Sequence, residues 1–238
     1  GVAVSVENVL RLAYEPDFVE LGAGTWCADG FADFDASTLE VWGALLNGAE
    51  LHLVDEHVLL DITALREAID GSGATVMWMS APLFSQIVDS DPGVFGRLRQ
   101  LLVGGDVLPP RQIRAVIEAC PGIRIINGYG PTENTTFSTT YRIPDDVPAD
   151  RAIPIGRPIG HSSAYVLGSG GRLQPIGVPG ELHVGGRGVA LGYVNRDDLT
   201  AASFIEDPFA GGGRMYRTGD LVRLNDDLDI EFIGRADH

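Results

Sequence analysis

Seven residues near the middle of the chain, Asn127-Gly128-Tyr129-Gly130-Pro131-Thr132-Glu133, set an aromatic ring, a hydroxyl and a carboxylate within five positions. Such groups can stack on a base, hydrogen-bond a phosphate oxygen and hold a divalent metal, because Mg²⁺ is usually bound by one or two carboxylates plus substrate phosphates. The residues alone leave a second reading open, a turn with a solvated Glu133. A further carboxylate, Asp35 in Phe34-Asp35-Ala36-Ser37, also has two readings. It can cap the helix that follows, or it can sit at a pocket edge and pair with a ligand ammonium, which selects for an amine. His183 lies within an apolar strand pattern and reads as a core or surface histidine rather than a catalyst.

The elements that position these residues alternate. The apolar run 123–126 reads as a buried strand, with a tight loop from Asn127 onward. Upstream, 50–54, 74–79 and 98–103 read as strands. Helices are expected over 61–69, capped by Asp61 and stopped at Gly71, over 83–88, and from Pro109-Pro110 to Ala119 with Ile113, Val116 and Ile117 inward. The helix after Asp35 is expected to turn residues 41, 42, 45 and 46 inward, and the segment 4–12 to turn Val9 and Leu12 inward. Strands alternating with helices imply a mostly parallel, helix-covered sheet, an α/β fold. Ligands in such sheets sit at the carboxyl ends of strands.

Near residue 145 the texture changes. Proline and glycine recur at Pro144, Pro148, Pro154, Gly156, Pro158 and Gly160. Short strands are expected at 163–167, 180–184, 214–217, 220–224 and 229–233, with one short helix near 199–204. This reads as a smaller β-barrel-like part. The expected division is 1–144 for the α/β part and 145–236 for the β-rich part, with 237–238 starting a hinge.

The chain has 238 residues and a formal net charge of −16. That balance opposes a nucleic-acid surface, which needs a basic face. It leaves a nucleotide site open, because local arginines or Mg²⁺ can neutralise phosphates. All 17 basic residues are arginine, so no step can use a lysine of this chain. No apolar run approaches the ~18 residues of a membrane span. Cys27 and Cys120 match no metal spacing and read as two buried, reduced thiols of a cytoplasmic protein.

The central heptad resembles the signature of adenylate-forming enzymes, and in particular of the adenylation domains of nonribosomal peptide synthetases. Four further stretches resemble the same family in order along the chain. They are Phe34-Asp35-Ala36-Ser37, then Gly180-Glu181-Leu182 with Gly192-Tyr193, then Tyr216-Arg217-Thr218-Gly219-Asp220, then Phe232-Ile233-Gly234-Arg235-Ala236-Asp237. Leu191 stands where an arginine is usual, and Asp227-Leu228 replaces an Asp-Gly turn. Trp26-Cys27-Ala28-Asp29-Gly30 departs from the usual apolar strand. The resemblance implies a truncated large N-terminal subdomain, starting just past a phosphate loop and ending at a hinge.

The resemblance implies ATP-dependent activation of an amino acid as aminoacyl-AMP, then thioester loading onto carrier-protein phosphopantetheine. Implied partners are a peptidyl carrier protein and condensation domains, with no nucleic acid and no membrane. Catalytic roles fall to Thr132, at the α-phosphate, and Glu133, holding Mg²⁺. Gly105, Asn127, Tyr129, Gly130, Thr132, Asp220, Phe232 and Arg235 would bind ATP or AMP, with Asp220 on the ribose and Phe232 facing Tyr129 across adenine. Tyr193 reads as packing. Asp35 would hold the α-amino group, within a pocket of Ala36, Leu39, Trp78, Leu102, Gly104, Gly128, Thr136 and Phe137. That set is apolar, with Gly104 and Gly128 leaving room, and it resembles valine-type pockets. The lysine and phosphate loop of the family are absent from this chain, so the fragment alone is expected to turn over little. The rival readings are an acyl-CoA or aryl-acid ligase of the same superfamily and a non-catalytic synthetase remnant.

Overall fold

A computed structural model describes residues 1–14, 16–21, 24–28, 34–148 and 150–236. Asp237, the expected hinge residue, and residues 29–33 of the unusual stretch lie outside the described residues. The chain forms two compact units. One comprises Ala13–Gly128 and Arg142–Ile153; the other comprises Gly1–Leu12, Tyr129–Tyr141 and Pro154–His238.

The first unit is built on parallel strands in the order Glu50–Leu53, Thr25–Ala28, Val76–Ser80, Gln100–Gly104 and Arg124–Tyr129. Helices fill the crossovers, as parallel pairing requires. The helix Ile62–Ser72 starts where expected: Asp61 accepts from the Thr63 and Ala64 amides at 2.9 and 3.0 Å. It runs past Gly71 and ends at Gly73 instead. Central strands are buried along their length, with Met77, Met79, Leu101, Val103 and Ile125 in the core. From Pro110–Ala119, Ile113 and Val116 are buried, and Ile117 is only half-buried.

The helix Ala36–Leu46 turns the opposite way from the expectation. Ala36, Leu39, Glu40, Gly43 and Ala44 are buried, whereas Trp42 and Leu45 are 47% and 55% exposed. Both stripes have helical spacing. The difference is size: the small residues let the helix lie close, so that a Cβ on Gly43 would sit 3.3 Å from Leu39 and 3.7 Å from Trp26.

The second unit carries an antiparallel sheet in the order Phe204–Glu206, Arg214–Leu224, Gly180–Gly186 and Ser162–Leu167, with Ile230–Arg235 also on Arg214–Leu224. The two strands expected at 214–217 and 220–224 are one. Glu181 faces Leu221 but His183 faces Arg217, so Thr218 and Gly219 bulge from the ladder and turn the strand without ending it. Ile155, Val166, Leu182, Val184, Val222 and Ile230 form its core. The helix Val6–Ala13 buries Asn8, Arg11 and Leu12, and Val9 is only half-buried. Asn8 tolerates burial because its Nδ2 donates to the Arg187 and Val189 carbonyls at 2.6 and 3.2 Å.

Candidate active site

Tyr129 ends a strand rather than opening a loop; Asn127 and Gly128 before it are buried strand residues. The Tyr129 hydroxyl donates to Asp220 Oδ2. Arg235 Nη1 donates to Asp220 Oδ1 at 3.1 Å and to the Thr218 carbonyl at 3.0 Å. Asp220 and Arg235 are register partners on neighbouring strands. In the bulge, Thr218 Oγ1 accepts from the Asp220 amide at 3.0 Å and donates to the Leu182 carbonyl at 2.7 Å, which fixes where Asp220 points. Burial, and then the Asp220 charge, push the Tyr129 phenol well up, so it stays a donor. An ionised carboxylate offers about four lone-pair sites. Tyr129 and Arg235 use two and leave capacity for a diol. Phe232 packs against the same buried cluster as Tyr129.

The segment after Tyr129 is tightly wound. A Cβ on Gly130 would fall 2.2 Å from the Thr136 carbonyl oxygen and 2.6 Å from the Ser138 amide, so only glycine fits there. Thr132, exposed, and Glu133, half-buried, lie in the 3₁₀ turn Thr132–Asn134. Thr135 and Thr136 follow with φ of 53° and 64°. That region is a genuine outlier for β-branched residues, held only where the surroundings over-determine it. Those surroundings are polar and buried. Arg11 donates to the Asn134 and Thr135 carbonyls at 3.4 and 3.3 Å and, through Nε, to Ser162 Oγ at 2.9 Å. Asn134 Nδ2 donates to Ser138 Oγ at 2.7 Å, and Thr135 Oγ1 to the Gly188 carbonyl at 2.8 Å. Glu133 Oε1 accepts from the Tyr193 hydroxyl at 2.6 Å.

The other expected substrate residues divide between the units. Thr136 and Phe137 are buried in the unit that holds Tyr129. Asp35, Ala36 and Leu39 occupy the start of the helix Ala36–Leu46 in the other unit, with Asp35 at the N-cap. The Asp35 carboxylate does not cap the first-turn amides. Trp78 and Leu102 are register partners, and two residues on, Ser80, Gly104 and Gly128 form the next row. Period-two alternation therefore puts Trp78, Leu102, Gly104 and Gly128 on one face of the sheet. Gly104 does not leave open space: a Cβ there would fall 2.1 Å from the Gly128 carbonyl oxygen. Its lack of a side chain serves the close approach of two strands. Gly105 follows at the exposed strand end. The Trp78 indole Nε1 is buried and has no hydrogen-bond partner among the described residues.

A family model described as AMP-binding enzyme matches residues 1–194. The chain belongs to the AMP-binding enzyme family. Within it, the chain is 48% identical to tyrocidine synthase 3 of Brevibacillus parabrevis over 238 residues, 100% of this chain and 4% of that protein. It is also 48% identical to surfactin synthase subunit 2 of Bacillus subtilis (strain 168) over 239 residues, 100% of this chain and 7% of that protein. A solved NRPS protein containing adenylation and PCP domains is similar at TM-score 0.90 and 38% identity, covering 96% of this chain and 46% of that one. The N-terminal subdomain of Klebsiella oxytoca NpsA, in complex with 3-hydroxyanthranilyl-AMSN, is similar at TM-score 0.90 and 29% identity, covering 98% of this chain and 60% of that one. The chain thus spans a small part of the curated relatives it matches.

The AMP-binding family implies Mg²⁺, and the donor set suits it. Glu133 offers hard carboxylate oxygens, and no cluster of three or more His, Cys, Asp or Glu is found among the described residues. One carboxylate completed by phosphate oxygens and water is a usual Mg²⁺ arrangement. Two contacts of the site carry no signal in the sequence. Arg11 contacts residues more than 120 positions away, and Tyr193 reaches Glu133 across 60.

Proposed function

We propose that the chain provides the nucleotide and amino-acid sites of an amino-acid adenylating ligase of nonribosomal peptide synthesis. The observation that carries this reading is the Tyr129–Asp220–Arg235 network, with Glu133 and Thr132 in the same unit. Tyr129 offers a ring tethered through its hydroxyl, and Phe232 a second ring, for adenine. Asp220 keeps capacity for the ribose diol, and Arg235 stands beside it. Gly130, in the same unit, shapes the backbone around the nucleotide. The exposed Thr132 hydroxyl serves the α-phosphate, and Glu133 the Mg²⁺ that neutralises phosphate charge.

An amino-acid carboxylate oxygen attacks the α-phosphorus. The bond to the bridging oxygen of the β-phosphate breaks, and pyrophosphate leaves. The acyl group then passes to the phosphopantetheine thiol of a carrier protein, the aminoacyl-AMP releasing AMP. Positioning and charge neutralisation supply the rate. Similarity to a protein with adenylation and PCP domains supports the carrier as partner. Two buried cysteines without a disulfide support a reducing, cytoplasmic setting.

Asp35 is the anchor for the substrate ammonium. In the unit that holds Asp35, the proposed lining of Ala36, Leu39, Trp78, Leu102, Gly104 and Gly128 has no second charge, and valine suits it. Isoleucine adds one methylene, worth only about 1–3 kcal/mol in an apolar pocket. The direct test is loading of labelled amino acids onto a carrier protein by the full-length protein with ATP and Mg²⁺. Valine thioester is expected. ATP-dependent loading of an acyl or aryl acid, with no amino acid accepted, would contradict the reading.

A further inference from the structure

Glu133 is gripped at both ends by one short stretch. Its backbone carbonyl accepts from the Ala190 amide at 2.8 Å, and its Oε1 accepts from the Tyr193 hydroxyl at 2.6 Å. Tyr193 is itself held from several sides. Its amide donates to Thr200 Oγ1 at 2.9 Å, and Gly192–Tyr193 pairs with Val2–Ala3 in an antiparallel ladder. Its ring stands edge-on to Phe204, with centroids 5.5 Å apart at 72°, and Phe204 leans on Tyr216 at 5.1 Å. The Tyr193 and Tyr216 hydroxyls lie 3.2 Å apart. A hydroxyl held this rigidly decides how the carboxylate is turned, because one carboxylate oxygen must stay on the donor.

We propose that Tyr193 is the positioning residue of the cation site, holding Glu133 Oε1 and leaving Oε2 for a divalent cation. Glu133 then takes the cation through one oxygen, in a fixed rotamer. This rests on the reading of Glu133 as the cation's carboxylate. The packing role expected for Tyr193 belongs to its ring; the hydroxyl has this separate one. The hydroxyl is dispensable for packing, because phenylalanine keeps the edge-on contact with Phe204.

The test is Mn²⁺ binding to the full-length protein with a non-hydrolysable ATP analogue, read by electron paramagnetic resonance, alongside metal-free AMP binding. Outer ligands that orient a metal ligand typically carry 10–100-fold in metal affinity, so Tyr193→Phe is expected to weaken Mn²⁺ by about 10-fold. Its AMP affinity is expected to stay within about 2-fold of the parent, as loss of one peripheral hydroxyl leaves Asp220 and Tyr129 untouched. Glu133→Gln is expected to weaken Mn²⁺ as well, and adding Tyr193→Phe to it should cost nothing more. Unchanged Mn²⁺ affinity in Glu133→Gln would remove the cation reading itself. Weakened binding in Glu133→Gln with no change in Tyr193→Phe would overturn the proposal alone. Additive losses in the double variant would also overturn it.

Discussion

The two candidate sites are held by different physics. Around Tyr129, side chains position one another: Tyr129 and Arg235 converge on Asp220, Tyr193 on Glu133, and Arg11 on the Asn134 and Thr135 carbonyls. Around Trp78, backbone register does the work, and apart from Ser80 the side chains on that face are apolar or absent. Polar networks specify geometry sharply, because each unmade bond leaves a buried group unsatisfied. A register-built apolar face specifies volume only, and volume discriminates weakly. Changes in the first region should therefore act on nucleotide and cation steps and be severe. Changes in the second should act on amino-acid choice and be graded.

The largest effect is expected at Asp220. Asp220→Ala strands Tyr129 and Arg235 together, and two charge-assisted hydrogen bonds at about 1.5–3 kcal/mol each give on the order of 100-fold or more in kcat/KM for ATP. Steady-state kinetics at saturating amino acid measures it; an unchanged kcat/KM for ATP would erase the contrast between the regions. Next is Asp35→Ala, expected to raise the amino-acid KM by about 10–100-fold from one lost charged contact while sparing ATP binding. Equal damage to both substrates would show that the two sites are not separable in this way.

Arg11→Ala removes the donors on the Asn134 and Thr135 carbonyls, next to the positive-φ pair Thr135 and Thr136. A loss of about 2–3 kcal/mol in unfolding free energy is expected from the buried carbonyls left behind, and denaturant titration reads it. Arg11→Lys should recover only part, since a point charge cannot replace the planar fork. The smallest effect, with opposite sign, is expected at Leu228, which sits at φ 66° with the Asn225 side chain accepting from the Asp227 and Asp229 amides. A left-handed non-glycine residue costs roughly 1–2 kcal/mol, so Leu228→Gly should stabilise by up to about 1 kcal/mol after glycine's own entropy. Its thermal midpoint should rise, and ATP kinetics should not move.

Much of the first region was legible because its chemistry sits in short contiguous phrases. Thr218-Gly219-Asp220 reads as a turn with a carboxylate, and the fold turns it into a bulge that aims Asp220. Leu228 was visible as a departure from an Asp-Gly turn, and its backbone carries that departure as a positive φ. What sequence could not carry is pairing at a distance. Tyr193 reads as packing because nothing local joins it to Glu133, and nothing local marks Arg11 for burial. The helix Ala36–Leu46 misled for another reason. Hydrophobic spacing favoured Val41, Trp42, Leu45 and Leu46, but close packing chose the face with Ala36, Gly43 and Ala44.

The most direct measurement is amino-acid-dependent ATP–pyrophosphate exchange by the full-length protein, across the standard amino acids. Exchange strongest with valine, cut most by Asp220→Ala and needing far more valine in Asp35→Ala, is the result predicted. No exchange with any amino acid, from folded protein that still binds ATP, would contradict the account.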